Sequence, residues 1–254
     1  MSILFQDLGR SEVTRKAFGC DVWDVGNRVV LTPWPEVLEI YKSLLRMPRL
    51  FRGWWECVSG EYKGKRVFVV CFGGGVTNAC DVTFLLTFTD CEYLLYSGAV
   101  EALSRDAKIG DVVAATGAIR GDGASEYYVG TEYPALASFE LLERAWSLLS
   151  DWARGEGVKV HKGIIYSLPA ITAESRELLT SVKDLGVIGV DVETAPIYVV
   201  ASIHGIKPLA VHVVCSKPLE GKTLLHDLSE DEESRKERSY RLLPRVILEV
   251  VSSL

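Results

Sequence analysis

The chain has 254 residues, of which 48% are hydrophobic and 24% charged, with a net charge of −6 and a pI near 5.4. That is enough apolar sequence for the buried core of one α/β domain, and it excludes the profile of a disordered segment. An acidic balance provides no basic face for counterion release, which argues against nucleic acid and for small molecules as partners.

The opening MSILFQDLGRSE has no basic stretch followed by an apolar one, and no apolar run reaches the length of a membrane span. A cytoplasmic protein with no membrane partner is therefore expected. The β-branched run at 28–31 predicts a first strand, and 35–45 predicts a helix with Val37, Leu38, Tyr41, Leu44 and Leu45 on one face. Strands are expected at 66–72, 111–116 and 158–165, with a helix over 134–153 between the last two. A strand at 187–192, a helix at 194–203 closed by Gly205 and a strand at 208–214 read as a βαβ unit. The charged stretch 227–241 reads as a solvated helix face leading into an amphipathic helix at 242–254. No repeat or linker divides the chain, so residues 1–254 are expected to form a single α/β domain with a central mixed sheet flanked by helices.

The six cysteines form no CxxC pair and the four histidines are scattered, so no metal site is expected. One glutamine, two asparagines and two methionines make a chain poor in thermolabile residues, which points to a thermophilic source and leaves intracellular disulfides open. The glycines Gly73, Gly74 and Gly75 follow a strand, but Asn78 stands where a dinucleotide fingerprint needs its third glycine. A tight turn against the sheet is favoured over a cofactor cradle, and no cofactor is expected. Gly221, Lys222 and Thr223 look like the end of a P-loop, yet Ser216 stands where its first glycine belongs.

Two segments carry a more specific pattern. Residues 109–140, IGDVVAATGAIRGDGASEYYVGTEYPALASFE, contain a G-D-V strand, an R-x-D-G-A-S turn and an E-Y-P-A-x-A-x-F-E helix start. Residues 186–216, GVIGVDVETAPIYVVASIHGIKPLAVHVVCS, place a D-V-E-x-A turn between a strand and a helix. On these segments the chain resembles the nucleoside phosphorylase family, most closely its uridine phosphorylase branch. The resemblance implies a distorted, barrel-like sheet and a nucleoside ligand whose N-glycosidic bond is attacked at C1′ by phosphate as co-substrate. It also implies a homo-oligomer, from dimer to hexamer, with sites at the dimer interface, and it leaves open a hetero-oligomer with an active paralogue.

The same resemblance distributes roles. Glu193 matches the carboxylate that accepts the ribose diol, Val192 the residue under the sugar, and Asp191 the first acid of the turn; the competing reading of Glu193 is an ordinary helix cap. For phosphate, Pro33 and Val37 stand where the family has a glycine and an arginine. Along Tyr96, Gly98, Ala99 and Glu101, Tyr96 replaces an arginine, Ala99 a hydroxyl residue and Glu101 a glycine beside the base, while Gly98 is kept. Arg52 corresponds to an arginine lent to a neighbouring subunit's phosphate, or is an ordinary surface residue. Gln6 corresponds to a residue lent to the 5′-hydroxyl. Ile171 falls near the aromatic base contact, Ser175 and Glu177 near a polar pair, and Ser216 near a purine-specific acid. The expectation is a nucleoside-cleaving protein, by phosphorolysis with a rearranged anion site drawn from Arg52, Arg120 or Arg176, or by hydrolysis with Glu101 or Asp191 activating water. A non-catalytic nucleoside-binding homologue is the alternative.

Overall fold

The computed structural model describes residues 7–254. In chain order its elements are α1 (Arg10–Phe18), α2 (Val22–Val25), β1 (Arg28–Thr32), α3 (Pro35–Leu44), β2 (Arg46–Arg52), β3 (Glu56–Tyr62), β4 (Lys65–Cys71) and α4 (Val76–Leu86). There follow β5 (Tyr93–Ala102), β6 (Val112–Arg120), β7 (Ala135–Leu136), α5 (Phe139–Glu156), β8 (Val160–Ser167), α6 (Arg176–Asp184), β9 (Gly189–Asp191), α7 (Thr194–Ile203), β10 (Lys207–Ser216) and α8 (Glu230–Ser252).

Alternation along the central strands sets the layers. Val29 and Leu31 of β1, Phe68 and Val70 of β4, and Leu94 and Tyr96 of β5 join a cluster covered by α1, α4 and α7. The residues between them, Val30, Val69 and Leu95, face the opposite way into a cluster with α3, α5 and α8. Both faces are buried, which explains the nearly unbroken apolar runs in these strands.

The sheet is mixed and closes on itself. β5 pairs in parallel with β1 on one edge and with β10 on the other. From β10 the path continues antiparallel to β6, parallel to β8 and parallel to β9. It returns to β5 through the antiparallel pair Glu101 and Val190. Five strands thus form a barrel, and β1, β4, β3 and β2 extend it outward.

Three expectations are corrected. The helix expected over 134–153 begins at Phe139, because Ala135 and Leu136 pair with Ala118 and Gly117 and so extend the sheet first. β9, α7 and β10 are not a βαβ unit of parallel neighbours: β5 lies between the two strands and runs against β9. The charged and apolar C-terminal stretches form one helix, α8, started by a capping box between Ser229 and Glu232 and containing Pro244.

The six cysteines are unpaired, and all but Cys91 are buried. Burial pushes the Cys20, Cys80 and Cys215 thiols up to about 12 and raises those of Cys57, Cys71 and Cys91 as well. Among the described residues no helix is long and apolar enough to cross a membrane.

Candidate functional site

A cavity of about 840 Å³ opens where β1, β4, β8, β9 and β10 end. Ligand sites of α/β proteins gather at the carboxyl ends of their strands, where the connecting loops can supply varied side chains. The expected residues Tyr96, Ala99, Glu101, Ile171, Asp191, Val192 and Glu193 all line this one cavity, as does Pro33.

Glu193 forms its floor. It is 8% exposed and occupies the N-cap position of α7, yet its side chain makes no cap hydrogen bond. Its oxygens reach across the barrel end instead: Oε1 accepts the Gly75 N–H at 2.8 Å and Oε2 accepts the Tyr96 hydroxyl at 3.0 Å. The helix-cap reading is therefore not what the side chain does. A carboxylate offers about four acceptor directions, so two remain for a ligand. Burial raises its pKa against the pull of the Gly75 and Tyr96 donors.

The capping is done by Asp191. Its Oδ2 accepts the Thr194 N–H at 2.9 Å and the Thr194 hydroxyl at 2.6 Å, while Oδ1 accepts the Ser167 hydroxyl at 2.7 Å. Ser167 in turn accepts the Ala195 N–H at 2.9 Å. Thr194 Oγ1 also meets His212 Nε2 at 2.9 Å, and burial lowers His212 to about 3, so its ring is neutral. Burial, then the Glu193 charge, push the Asp191 carboxyl upward. With its oxygens engaged by the β9–α7 turn, Asp191 acts as a brace for Glu193 rather than as a group free to meet water.

Glu101 is different. It is 2% exposed, and neither carboxyl oxygen has a hydrogen-bond partner. Burial raises its pKa, and the nearby Ser216 hydroxyl only tempers the shift. Glu174, whose Oε1 is also buried and unpartnered, rises to about 7 through burial and the neighbouring Glu101 charge.

Several expected residues lie elsewhere. Gly98 does not line the cavity; a Cβ there would stand 2.4 Å from the Tyr96 ring, so this glycine makes room for the ring to reach Glu193. Arg52 is exposed on β2 and paired with Glu56. Arg120 is spent on the loop after β6, donating to the carbonyls of Val129, Gly130 and Tyr133 and to Ser125 Oγ. Arg176 is exposed, 3.5 Å from the Leu219 carbonyl. Ser175 caps α6 through the Leu178 N–H. Gln6 lies outside the described residues.

Other lining residues are not assigned to the site by the sequence, which reads the glycines as a tight turn only. Gly73, Gly74 and Gly75 have φ of 79°, 73° and 88°, and this left-handed run turns the Gly75 N–H toward Glu193. Far from being only a solvated face, α8 contributes Glu233, Lys236 and Tyr240, with Tyr240 edge-on to Trp34 at 5.2 Å. Lys236 pairs with Glu233 at 2.9 Å and is the only lysine or arginine lining the cavity among the described residues. The helical spacing of 233, 236 and 240 could have placed the three on one face.

Residues 27–251 match the family model described as the phosphorylase superfamily. The chain belongs to that superfamily. A DeoD-type 2 purine nucleoside phosphorylase from Vibrio cholerae serotype O1 is 30% identical over 199 residues, 77% of this chain and 79% of its own. A uridine phosphorylase structure from Vibrio fischeri ES114 superposes with a TM-score of 0.83 at 21% identity, covering 98% of this chain and 100% of its own. An AMP nucleosidase structure from Bacteroides thetaiotaomicron VPI-5482 has a TM-score of 0.77 at 20% identity, over 96% and 97% of the two chains. The phosphorylase-superfamily fold is thus common to relatives whose names cover purine, pyrimidine and nucleotide chemistry.

Proposed function

We propose that this chain binds a nucleoside and cleaves its N-glycosidic bond with water, rather than phosphate, as the attacking group. The observation that carries the reading is the charge lining of the cavity. Five carboxyl groups, Glu101, Asp191, Glu193, Asp227 and Glu233, line it against Lys236 alone, and Lys236 is paired with Glu233. Among the described residues no arginine lines the cavity, and bringing a phosphate dianion next to partly buried carboxylates costs several kcal/mol.

The same lining suits the sugar. Glu193, fixed from two sides, keeps acceptor directions for a cis-diol. As the C1′–N bond lengthens, positive charge develops on the ribose ring, and fixed carboxylates near it stabilise that charge more than they stabilise the neutral substrate. Names in the superfamily include both phosphorylases and a nucleosidase, which fits a fold able to use either nucleophile.

The test is base release from a panel of purine and pyrimidine nucleosides, with and without phosphate, with the sugar product identified. Free ribose formed at the same rate in both conditions is expected. Ribose 1-phosphate, formed only when phosphate is present, overturns water as the nucleophile. Release from no nucleoside overturns cleavage and leaves the binding-only homologue.

A further inference from the structure

The carboxyl groups of the cavity outnumber its cations, and the imbalance is sharpest at Glu101. This residue lies at the end of β5 where the barrel closes, paired with Val190 of β9 on one side and Ser216 of β10 on the other. It lines the cavity, is 2% exposed, and has no hydrogen-bond partner on either carboxyl oxygen. Glu174, near enough for the Glu101 charge to act on it, also has a buried oxygen without a partner. Among the described residues no basic side chain pairs with either carboxyl, and Lys236 is held by Glu233 instead. A native protein seldom leaves such atoms unsatisfied unless something outside the chain satisfies them.

What these carboxyls call for is positive charge. A cation brought beside Glu101 favours the ionised carboxylate whatever the state of the carboxyl beforehand, because opposite charges attract strongly at short range in a poorly solvated space. The donor set does not suit a metal ion: among the described residues no three His, Cys, Asp or Glu side chains come together closely enough to hold one. It suits an organic cation, since the rings of Trp34, Tyr96 and Tyr240 line the same cavity and the π faces of such rings attract organic cations.

We propose that the nucleoside taken by this cavity carries a positive charge on its base, as a pyridinium or N-alkylated purinium nucleoside does, with Glu101 as the counter-ion. This rests on the nucleoside-binding half of the reading above, not on the choice of nucleophile. Glu193 keeps acceptor directions for the sugar diol, which leaves Glu101 for the group that the sugar carries. A charge on the base also suits cleavage. The C1′–N bond breaks with its electron pair going to the base, which leaves as a neutral molecule and needs no proton. The water oxygen bonds to C1′, and one water proton passes to solvent. Positive charge is then present throughout, first on the base and afterwards on the ribose ring, within a lining of carboxyl groups.

Nicotinamide riboside, a permanent pyridinium cation, and its neutral 1,4-dihydro form have nearly the same shape, so the pair separates charge from fit. Binding of each to the full chain is read from the rise in melting temperature over a concentration series. Wild type should bind the cation at least about tenfold more tightly at low salt, with the preference shrinking as salt is raised. Glu101→Gln, which keeps the shape and removes the charge, should lose most of that preference. Uridine and 5′-amino-5′-deoxyuridine make the same comparison at the other end of the sugar, and a preference for charge found only there overturns its placement on the base. The inference is also overturned if wild type binds the two ribosides equally, if it binds neither, or if Glu101→Gln keeps the full preference. Melting of each protein as one cooperative transition confirms that folded chains are compared. A chain that prefers the cation yet releases no base overturns the cleavage reading and leaves this one standing; release of base from neutral nucleosides with no preference for charge does the reverse.

Discussion

The Tyr96 ring occupies the space that a side chain at Gly98 would need, with the ring's Cζ and hydroxyl oxygen each 2.4 Å from the Cβ position. Tyr96 is 1% exposed and cannot swing aside into solvent. Gly98→Ala should therefore displace the ring, break its 3.0 Å bond to Glu193 and cost roughly 1–3 kcal/mol of stability through overpacking. Nucleoside affinity should fall about tenfold, while Tyr96→Phe should weaken binding without the packing loss. Thermal melts and ligand titrations of the two variants check this; equal melting losses would refute the steric account.

Glu101 should make stability depend on pH in a particular direction. Its folded pKa is raised by burial, so as pH climbs through the ordinary glutamate value of about 4.3 the unfolded chain ionises while the folded chain keeps its proton. Native stability declines over that interval. Glu101→Gln has no proton to lose, so it should melt close to wild type at pH 4 and above it at pH 7. The gain expected is about 1 kcal/mol, roughly 2–4 °C for a chain of this size. Melting curves across pH 4–8 read it directly, and a constant difference would count against a carboxyl whose pKa is raised by burial.

Asp111 runs the other way. Burial pushes it up, but the His161 hydrogen bond at 2.9 Å, the N–H groups of Lys108 and Lys159 and the His161 charge together pull it below its usual range. Arg235 adds a contact at 3.2 Å. A depressed pKa contributes stability above the ordinary aspartate value, about 3.9, and loses it as pH falls through the folded value. Asp111→Asn should be less stable by about 2–4 kcal/mol at pH 7, with the gap narrowing below pH 4. Denaturant titrations at the two pH values give the comparison.

Arg120 closes the loop after β6 by donating to three carbonyls and one hydroxyl. Its loss leaves the Val129 and Tyr133 carbonyls without this donor, while Ser125 Oγ keeps its bond to Asp122 and the Gly130 carbonyl keeps the Tyr133 N–H. Arg120→Ala should cost about 2–3 kcal/mol and open residues 121–133 to limited proteolysis. Cleavage mapped elsewhere, or none, would show that the loop holds without it.

Much of the architecture was legible because burial on both faces leaves continuous apolar runs, and because the D-V-E-x-A turn sits at a strand-to-helix junction found where expected. The barrel was expected through the family resemblance and is found, but the strand that closes it was not legible in the residue pattern, since β9 has three residues and joins β5 through only two pairs. The R-x-D-G-A-S turn is a specific pattern, yet its residues hold one another: Asp122 accepts the N–H groups of Ala124 and Ser125, and Ser125 meets Arg120. A strong motif there identified the fold, not the chemistry. At the cavity, the sequence indicated which residues converge. It could not reveal that Asp191 is braced and Glu101 unpartnered, because that depends on Ser167 and Ser216 arriving from other strands. The role of α8 was hidden because charged residues every three or four positions look alike whether they face water or a cavity.

The buried thiols give the protein a built-in clock. Thiolates, not thiols, react with alkylating reagents, and here burial both shields five of the six sulfurs and holds their protons on. Cys57 on β3 and Cys80 on α4 sit in one buried layer, whereas Cys215, near the end of β10, borders the cavity, so the first two are labelled only when that layer opens and the third through the cavity. The interval between modification of Cys215 and of Cys57 or Cys80 would therefore separate access to the cavity from opening of the layer under α1, α4 and α7.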